Sequence, residues 1–349
     1  MNETLSFGGV NEDTDLNLLG SAQISYAISA LGHRALGESS QSLMNNFSNA
    51  QVMLQKNIGA FGYHLQAGQY IMPNLAEPMA KSSDVNQAYG WIPHAYASYA
   101  LDAQWRLISG KLLSMPGFEN PFTYQNQNIQ RGILERHNNT ISRGIQLNYK
   151  SERESFFVSV NDGFYSGQYT WLGVGGSYQH DAHNASSLMW GGSQRVNKKS
   201  STLTPVLQNN SQILNTSHSL TYKNWSFTPY YQWTVVPTNV ATSLADPIRT
   251  HGLAAIVNYQ VPKPLHFLEQ SWRVNLPLRL ERLRSSSIPN FHNSEAVSYT
   301  NASSLTFTPT FQSGDYFLRT EISHTKSGSA DFFNSSSPKR LLLELGVLH

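Results

Sequence analysis

From Trp225 to Val235 the chain reads W-S-F-T-P-Y-Y-Q-W-T-V. Trp225, Phe227, Pro229, Tyr231, Trp233 and Val235 share one parity, and Ser226, Thr228, Tyr230, Gln232 and Thr234 share the other. A period of two predicts a β-strand with one apolar, aromatic face and one polar face. In a soluble sandwich the apolar face would be dominated by Val, Ile and Leu turned toward a core. Here tryptophans stand near both ends of that face, and hydroxyls and amides replace Lys and Glu on the other. Such a strand suits an outside that meets lipid and an inside that meets water.

The pattern recurs. After an acidic stretch without period, 1–16, which is read as a tail, alternating segments cover 21–29, 51–57, 61–69, 95–101, 104–111, 141–149, 155–161 and 172–178. They continue over 185–195, 214–222, 225–235, 253–259, 271–281, 297–311, 316–323 and 341–349. Tight turns such as Asp102-Ala103 and Lys223-Asn224 alternate with longer spacers, the longest being Leu113 to Thr140. An even number of strands, about sixteen, with every second connection short is the layout of an outer-membrane barrel. A sandwich has no reason to keep that asymmetry. Aromatic residues also return on outward parity in strand after strand, among them Tyr63, Tyr99, Trp190, Trp225, Tyr231, Trp233, Tyr259 and Tyr299. On a carbohydrate-binding sheet they would cluster on one sheet or its loops instead, so they predict interfacial girdles.

Composition narrows the choice. Only 13% of the 349 residues are charged, about half the usual share. No apolar window approaches the ~18 residues that a membrane-crossing helix needs, which leaves a closed barrel as the membrane option. Met1-Asn2-Glu3-Thr4 is polar, not basic and then apolar, so no signal peptide is expected within this numbering. A net charge of +2 without a basic run gives a phosphate backbone nothing to follow, so nucleic acid is not an expected partner. The absence of cysteine removes thiolate chemistry and disulfides. Of twelve histidines, His180 and His183 lie three apart in a short turn with no third ligand near. No metal or cofactor is expected, and no G-x-S-x-G elbow appears.

Gly110-Lys111, Gly117-Phe118-Glu119, an Asn-rich loop, Ser142-Arg143-Gly144 and a hairpin closed by Asn161-Asp162-Gly163 follow one another in order. Near the end come Phe317-Leu318-Arg319-Thr320-Glu321 and an Asp331-Phe332-Phe333 loop. In these motifs the chain resembles the OmpL-like putative beta-barrel porin family of Gram-negative outer membranes. The resemblance implies a passive diffusion channel whose third external loop folds into the lumen. Independently, the longest spacer falls third among the long ones. One departure is the ending Val347-Leu348-His349, where such barrels usually close on an aromatic residue.

Strand parity sends Arg106, Arg195, Lys223, Arg273, Arg279, Arg319 and Arg340 to the lumen, against Glu281, Glu321 and Glu344. A basic excess on an inner wall favours anions. Local pairing of Arg279 with Glu281 and of Arg319 with Glu321 would blunt it. Arg143 falls on the lipid side by parity, at headgroup level unless a bulge turns it inward. Loop residues Glu119, Arg131, Glu135 and Arg136 complete a candidate constriction, with acids on the loop facing bases on the wall across the narrowest point.

The expectation is thus an all-β transmembrane antiparallel barrel over 17–349, with short periplasmic turns and residues 113–140 as the constriction loop. Its partners would be the lipid bilayer, lipopolysaccharide and small hydrophilic solutes, with a homotrimer as one association state. The function expected is passive diffusion of small solutes and ions with mild anion preference. A substrate-selective channel for sugars or organic anions is one alternative; a secreted or surface glycan-binding protein or enzyme is another.

Overall fold

In the computed structural model, residues 23–349 are described except 37–43, 58, 76, 115–116, 202–203, 268, 288–299 and 328–338. The tail 1–16 and Tyr299 lie outside the described residues. Alternating side chains produce one continuous antiparallel sheet of eighteen β segments. Leu265–Phe267 continues the line of Ile248–Gln260 along one neighbour, and Asn301–Phe307 and Thr310–Ser313 share the same two neighbours. Sixteen strands remain: β1 Gln23–Leu36, β2 Met44–Lys56, β3 Phe61–Tyr70, β4 His94–Ala100, β5 Trp105–Leu113, β6 Ile141–Lys150, β7 Glu154–Asn161 and β8 Trp171–Gln179. The second half holds β9 Asn184–Ser193, β10 Gln212–Tyr222, β11 Trp225–Val236, β12 Ile248–Gln260, β13 Gln270–Ser285, β14 (the pair just named), β15 Tyr316–Ser327 and β16 Lys339–Leu348.

Each strand pairs with the next, and β1 pairs with β16 from Ala27↔Leu348 to Leu36↔Lys339, which closes the barrel and leaves no edge. At this seam Tyr26 and His349 exchange backbone hydrogen bonds of 2.8 and 3.0 Å, and their rings stack with centroids 5.3 Å apart. Leu253, Leu343 and Leu345 face outward and are exposed, while the facing polar positions are buried inside. The barrel is therefore apolar outside, as lipid requires, and a soluble glycan-binding domain is not retained.

Two strand limits differ from the expected ones for backbone reasons. The register of β1 against β2 shifts between Ser29 and Ala30, because Ser48 is an extra residue in β2. This bulge inverts the parity that begins at Val52, so the strand between Met44 and Ala50 is not visible as an alternation. In β14 the ladder breaks at Thr308-Pro309, where proline has no N–H to donate. Its expected start, Val297, lies outside the described residues.

The connections that matter for the interior are the second long loop, 71–93, with helix α1 (Ser82–Tyr89), and the third, 114–140, with short 3-10 turns at Thr123–Gln125 and Leu134–His137. Phe122, Tyr124, Ile129, Ile133 and Leu134 of the third loop are buried within the barrel.

Candidate functional site

A loop buried inside a barrel brings backbone N–H and C=O groups that no ladder satisfies. Here charged side chains of the inner wall satisfy them. Inward parity on β13, β15 and β16 places Arg279, Glu281, Arg319, Glu321 and Glu344 in a group, all buried beneath the third loop. Glu321 Oε2 accepts the Ile129 N–H at 2.6 Å and the Gln130 N–H at 3.3 Å. Glu281 accepts the N–H groups of Ile133 and Leu134 at 3.1 and 3.3 Å. Arg279 donates to the Gln130 carbonyl at 2.8 Å, and Arg319 to the Asn126 carbonyl at 2.9 Å. Glu344 accepts the Thr123 hydroxyl at 2.6 Å.

The same groups neutralise one another, as burial of charge demands. Arg279 Nη1 lies 2.5 Å from Glu119 Oε1, and its Nε lies 3.3 Å from Glu281 Oε2. Arg319 binds Glu344 through Nε, at 3.1 Å, and Nη2. The expected Arg319–Glu321 pair is replaced by this cross-strand one, because Glu321 is taken by the loop backbone. The acidic loop residue Glu119 and the basic wall residue Arg279 are in direct contact, so they do not face each other across a gap.

Within the loop, Glu135 Oε1 accepts the Phe118 N–H at 3.0 Å, and Glu119 Oε2 accepts the Gly132 N–H at 2.6 Å. A Cβ on Gly132 would sit 2.0 Å from Glu281 Oε1, so a larger residue there would have to displace that carboxylate. Gly252 of β12 makes a hollow for Leu134 in the same way, and Phe118 stacks on Tyr230 of β11 at 4.9 Å. Burial, opposed by Arg279 and reinforced by Glu135 and Glu281, pushes the Glu119 carboxyl up to about 7. Burial raises Glu135 as well, against the hydrogen bond from Asn138 and the nearby Arg131 charge.

Arg131 and Arg136 tie the third loop to the second: Arg131 donates to Asn74 Oδ1 at 2.9 Å, and Arg136 Nε meets Glu77 Oε1 at 2.8 Å. Between the two loops lies a polar cavity of about 160 Å³ bordered by Asn74, Glu77, Tyr89, Arg131, Glu135 and Arg136. Arg106 and Arg273 stand apart from this assembly, nearer the tight-turn mouth, where Arg106 donates to Ser98 Oγ at 3.0 Å. Arg195 lies beyond the end of β9 and Lys223 in the turn between β10 and β11, so neither belongs to the wall. Opposite the loop's anchorage, the inward positions of β6–β10 carry no charge apart from Lys150 at the tight-turn end and are mostly small, among them Gln146, Asn148, Ser159, Gly173, Ser187, Asn215 and Ser217.

Outside, Trp225 packs on Tyr259 at the tight-turn end with ring centroids 4.6 Å apart, while Tyr231 and Trp233 stand toward the loop end, Tyr231 in contact with His251. Arg143 keeps its outward parity at the loop-side rim, held by Asp162 at 2.7 Å and stacked over Tyr165. His180 bonds Ser186, and among the described residues no cluster of His, Asp and Glu could hold a metal. The wall partners that strand parity did not single out are Ser304 and Thr308, which reach Glu281 and Glu321 from β14, and Tyr230, which reaches Glu281 from β11 across β12. Their signal was present only as polar residues on inward parity.

A family model described as "Putative beta-barrel porin-2, OmpL-like" matches residues 34–348. No curated protein matches the chain. Among solved structures, the chain is similar to the outer membrane channel DcaP of Acinetobacter baumannii, with 12% identity, 94% of this chain and 97% of that one covered, and a TM-score of 0.59. It is also similar to OmpT of Vibrio cholerae, with 4% identity, coverage of 99% and 100%, and a TM-score of 0.58. A porin structure refined at 1.8 Å gives 9% identity, coverage of 94% and 100%, and a TM-score of 0.55. At these identities the likeness concerns the fold.

Proposed function

The chain belongs to the OmpL-like beta-barrel porin-2 family of the bacterial outer membrane, and from that premise we propose that it lets small hydrophilic solutes and ions diffuse passively between the third loop and the mostly uncharged wall of β6–β10. The observation that carries this reading is the one-sided anchorage of the loop. Within the barrel its polar groups are bonded to β2, β3, β11 and β13–β16, so the side left for solute, β6–β10, is lined mostly by amides, hydroxyls and glycines. Glu119, Arg131, Glu135, Arg136, Arg279, Glu281, Arg319 and Glu321 hold the constriction in place in this proposal. Arg106 and Arg273 add positive charge toward the tight-turn mouth. Most ionic groups being paired, the anion preference is mild. No bond-making chemistry is part of the reading.

The polar cavity beside Arg131 and Arg136 favours a second reading, a channel with a binding site for a small organic anion or sugar. Packing as a homotrimer and contact with lipopolysaccharide complete the proposal, since closed symmetry is the common way for copies to associate. Liposomes carrying the protein are expected to swell at rates that fall smoothly with solute size. A rate that saturates for one solute class supports the selective channel, and liposomes that never swell contradict both.

A further inference from the structure

The inner wall uses most of its charges in pairs, but the outer face of the same strands carries cations that have no acidic partner among the described residues. Along β13 the outward positions are Trp272, Val274, Leu276, Leu278 and Leu280, followed by Arg282 and Arg284. From Trp272 to Leu280 the strand advances about 26 Å at a rise of ~3.3 Å per residue. Tilted by ~40°, that length covers most of an apolar band ~25 Å tall. Arg282 and Arg284 therefore emerge at its loop-side edge.

The cross-strand register places neighbours at the same level. Tyr231, Leu253, Arg282, Ser303 and Lys326 form one row, and Trp233, His251, Arg284 and Asn301 the next. Where β11 carries interfacial aromatics, β13 and β15 carry cations. Arg282 and Arg284 are exposed and Lys326 is half-buried. Among the described residues no Asp or Glu lies within ion-pair distance of them. They border an open depression of about 510 Å³ with Ser303 and Asn301. Elsewhere on the rim Arg143 holds Asp162 and Lys111 donates to the Tyr89 carbonyl, whereas the exposed outward cations Arg34, Arg249 and Lys339 do not form a cluster of three.

Three like charges on β13 and β15, the two strands that flank β14, repel one another and gain from a multivalent anion between them. Arginine forks match phosphate oxygens in pairs, and Ser303 and Asn301 add uncharged donors. Leu280, Leu305, Phe307 and Ile322 continue the same outer surface into the bilayer. A ligand that fits both halves has phosphates at one end and acyl chains at the other.

We propose that Arg282, Arg284 and Lys326, with Ser303 and Asn301, bind the phosphates of the phosphorylated glycolipid, lipopolysaccharide, that forms the outer leaflet. This deepens the lipopolysaccharide contact of the preceding reading and does not depend on solute passage.

The test measures binding of purified diphosphoryl lipid A to the detergent-solubilised full chain. An R282S/R284S/K326S variant is compared with K150S/K223S/K263S, which removes the same charge at the tight-turn end. The outer variant is expected to bind at least tenfold more weakly, the control within twofold of the parent, and inorganic phosphate at millimolar concentration not to compete. Equal weakening in both variants would reduce the effect to net charge and overturn the site, as would unchanged binding in the outer variant. Competition by free phosphate would overturn the lipid as its occupant. If the triple variant fails to fold, Arg282→Gln alone is expected to weaken binding at least threefold, and unchanged binding overturns the proposal. Conductance of the outer variant, expected to match the parent, separates failure of this site from failure of the channel reading.

Discussion

Replacing Arg279 with Met removes the cation that joins wall and loop while keeping most of its volume. Glu119, 2.5 Å away, and Glu281, 3.3 Å away, are then left as buried carboxylates without their counter-ion. Breaking a buried pair from one side costs ~3–5 kcal/mol. Because the Glu119 carboxyl already sits at about 7, it relieves part of that cost by taking a proton, which favours the lower end, ~3 kcal/mol, at neutral pH. That energy corresponds to roughly a hundredfold change in an opening equilibrium. The effect is local. The Arg319 bond to the Asn126 carbonyl, the Glu321 bonds to the Ile129 and Gln130 N–H groups and the Glu344 bond to Thr123 remain. Hydrogen exchange followed by mass spectrometry is expected to show protection lost by about two orders of magnitude over Ile133 and Leu134, with Thr123–Asn128 changed by less than about threefold. Single-channel records of the same variant are expected to gain fast current noise. Unchanged exchange at Ile133 and Leu134 in a folded barrel would refute the claim that Arg279 anchors the loop.

Three further outcomes follow from the same geometry. The docked loop holds the Glu119 proton more tightly than a solvated carboxyl does, about 7 against an ordinary 4.5. Docking is therefore strongest below about pH 4.5 and loses about 3 kcal/mol as pH rises through 7; acidification from pH 8 to 5 is expected to quiet loop opening, Glu119→Gln to remove that dependence, and opening that increases on acidification would contradict it. Gly252→Ala puts a Cβ 2.1 Å from Leu134 Cδ2, which should cost ~1–3 kcal/mol in thermal unfolding; adding Leu134→Ala should cost less than the two single effects summed, and strict additivity would argue against the contact. Leu343→Arg, outward near the middle of β16, should lower the free energy of folding into phospholipid vesicles by ~2–4 kcal/mol, and Ser303→Arg at the rim by ~0–1 kcal/mol; equal costs would contradict the assigned apolar band.

The barrel was legible because lipid outside and water inside impose a period of two that survives in each strand. Trp225–Val236 carries it whole, as do Phe61–Tyr70 and Tyr316–Ser327. It was lost where the backbone itself departs from the ladder, at the Ser48 bulge and at Pro309. Arg195 and Lys223 were assigned to the wall because parity says nothing about where a strand stops. The third loop could be placed by its length, but its contacts could not. Glu321 meets the Ile129 N–H across 192 positions, and Arg279 meets Glu119 across 160. Such partners are set by barrel closure, which brings β13–β16 opposite the loop without leaving a local pattern in sequence. The charges legible as a basic excess thus turn out to be mostly bonded pairs.

The central claim is that this barrel encloses an open path beside a loop fastened to one wall. Its most direct test is single-channel conductance of the detergent-purified protein in a planar bilayer under a salt gradient. The account predicts stable current steps with a small reversal potential of the anion-selective sign. Absence of steps from protein shown to be folded and inserted would contradict it.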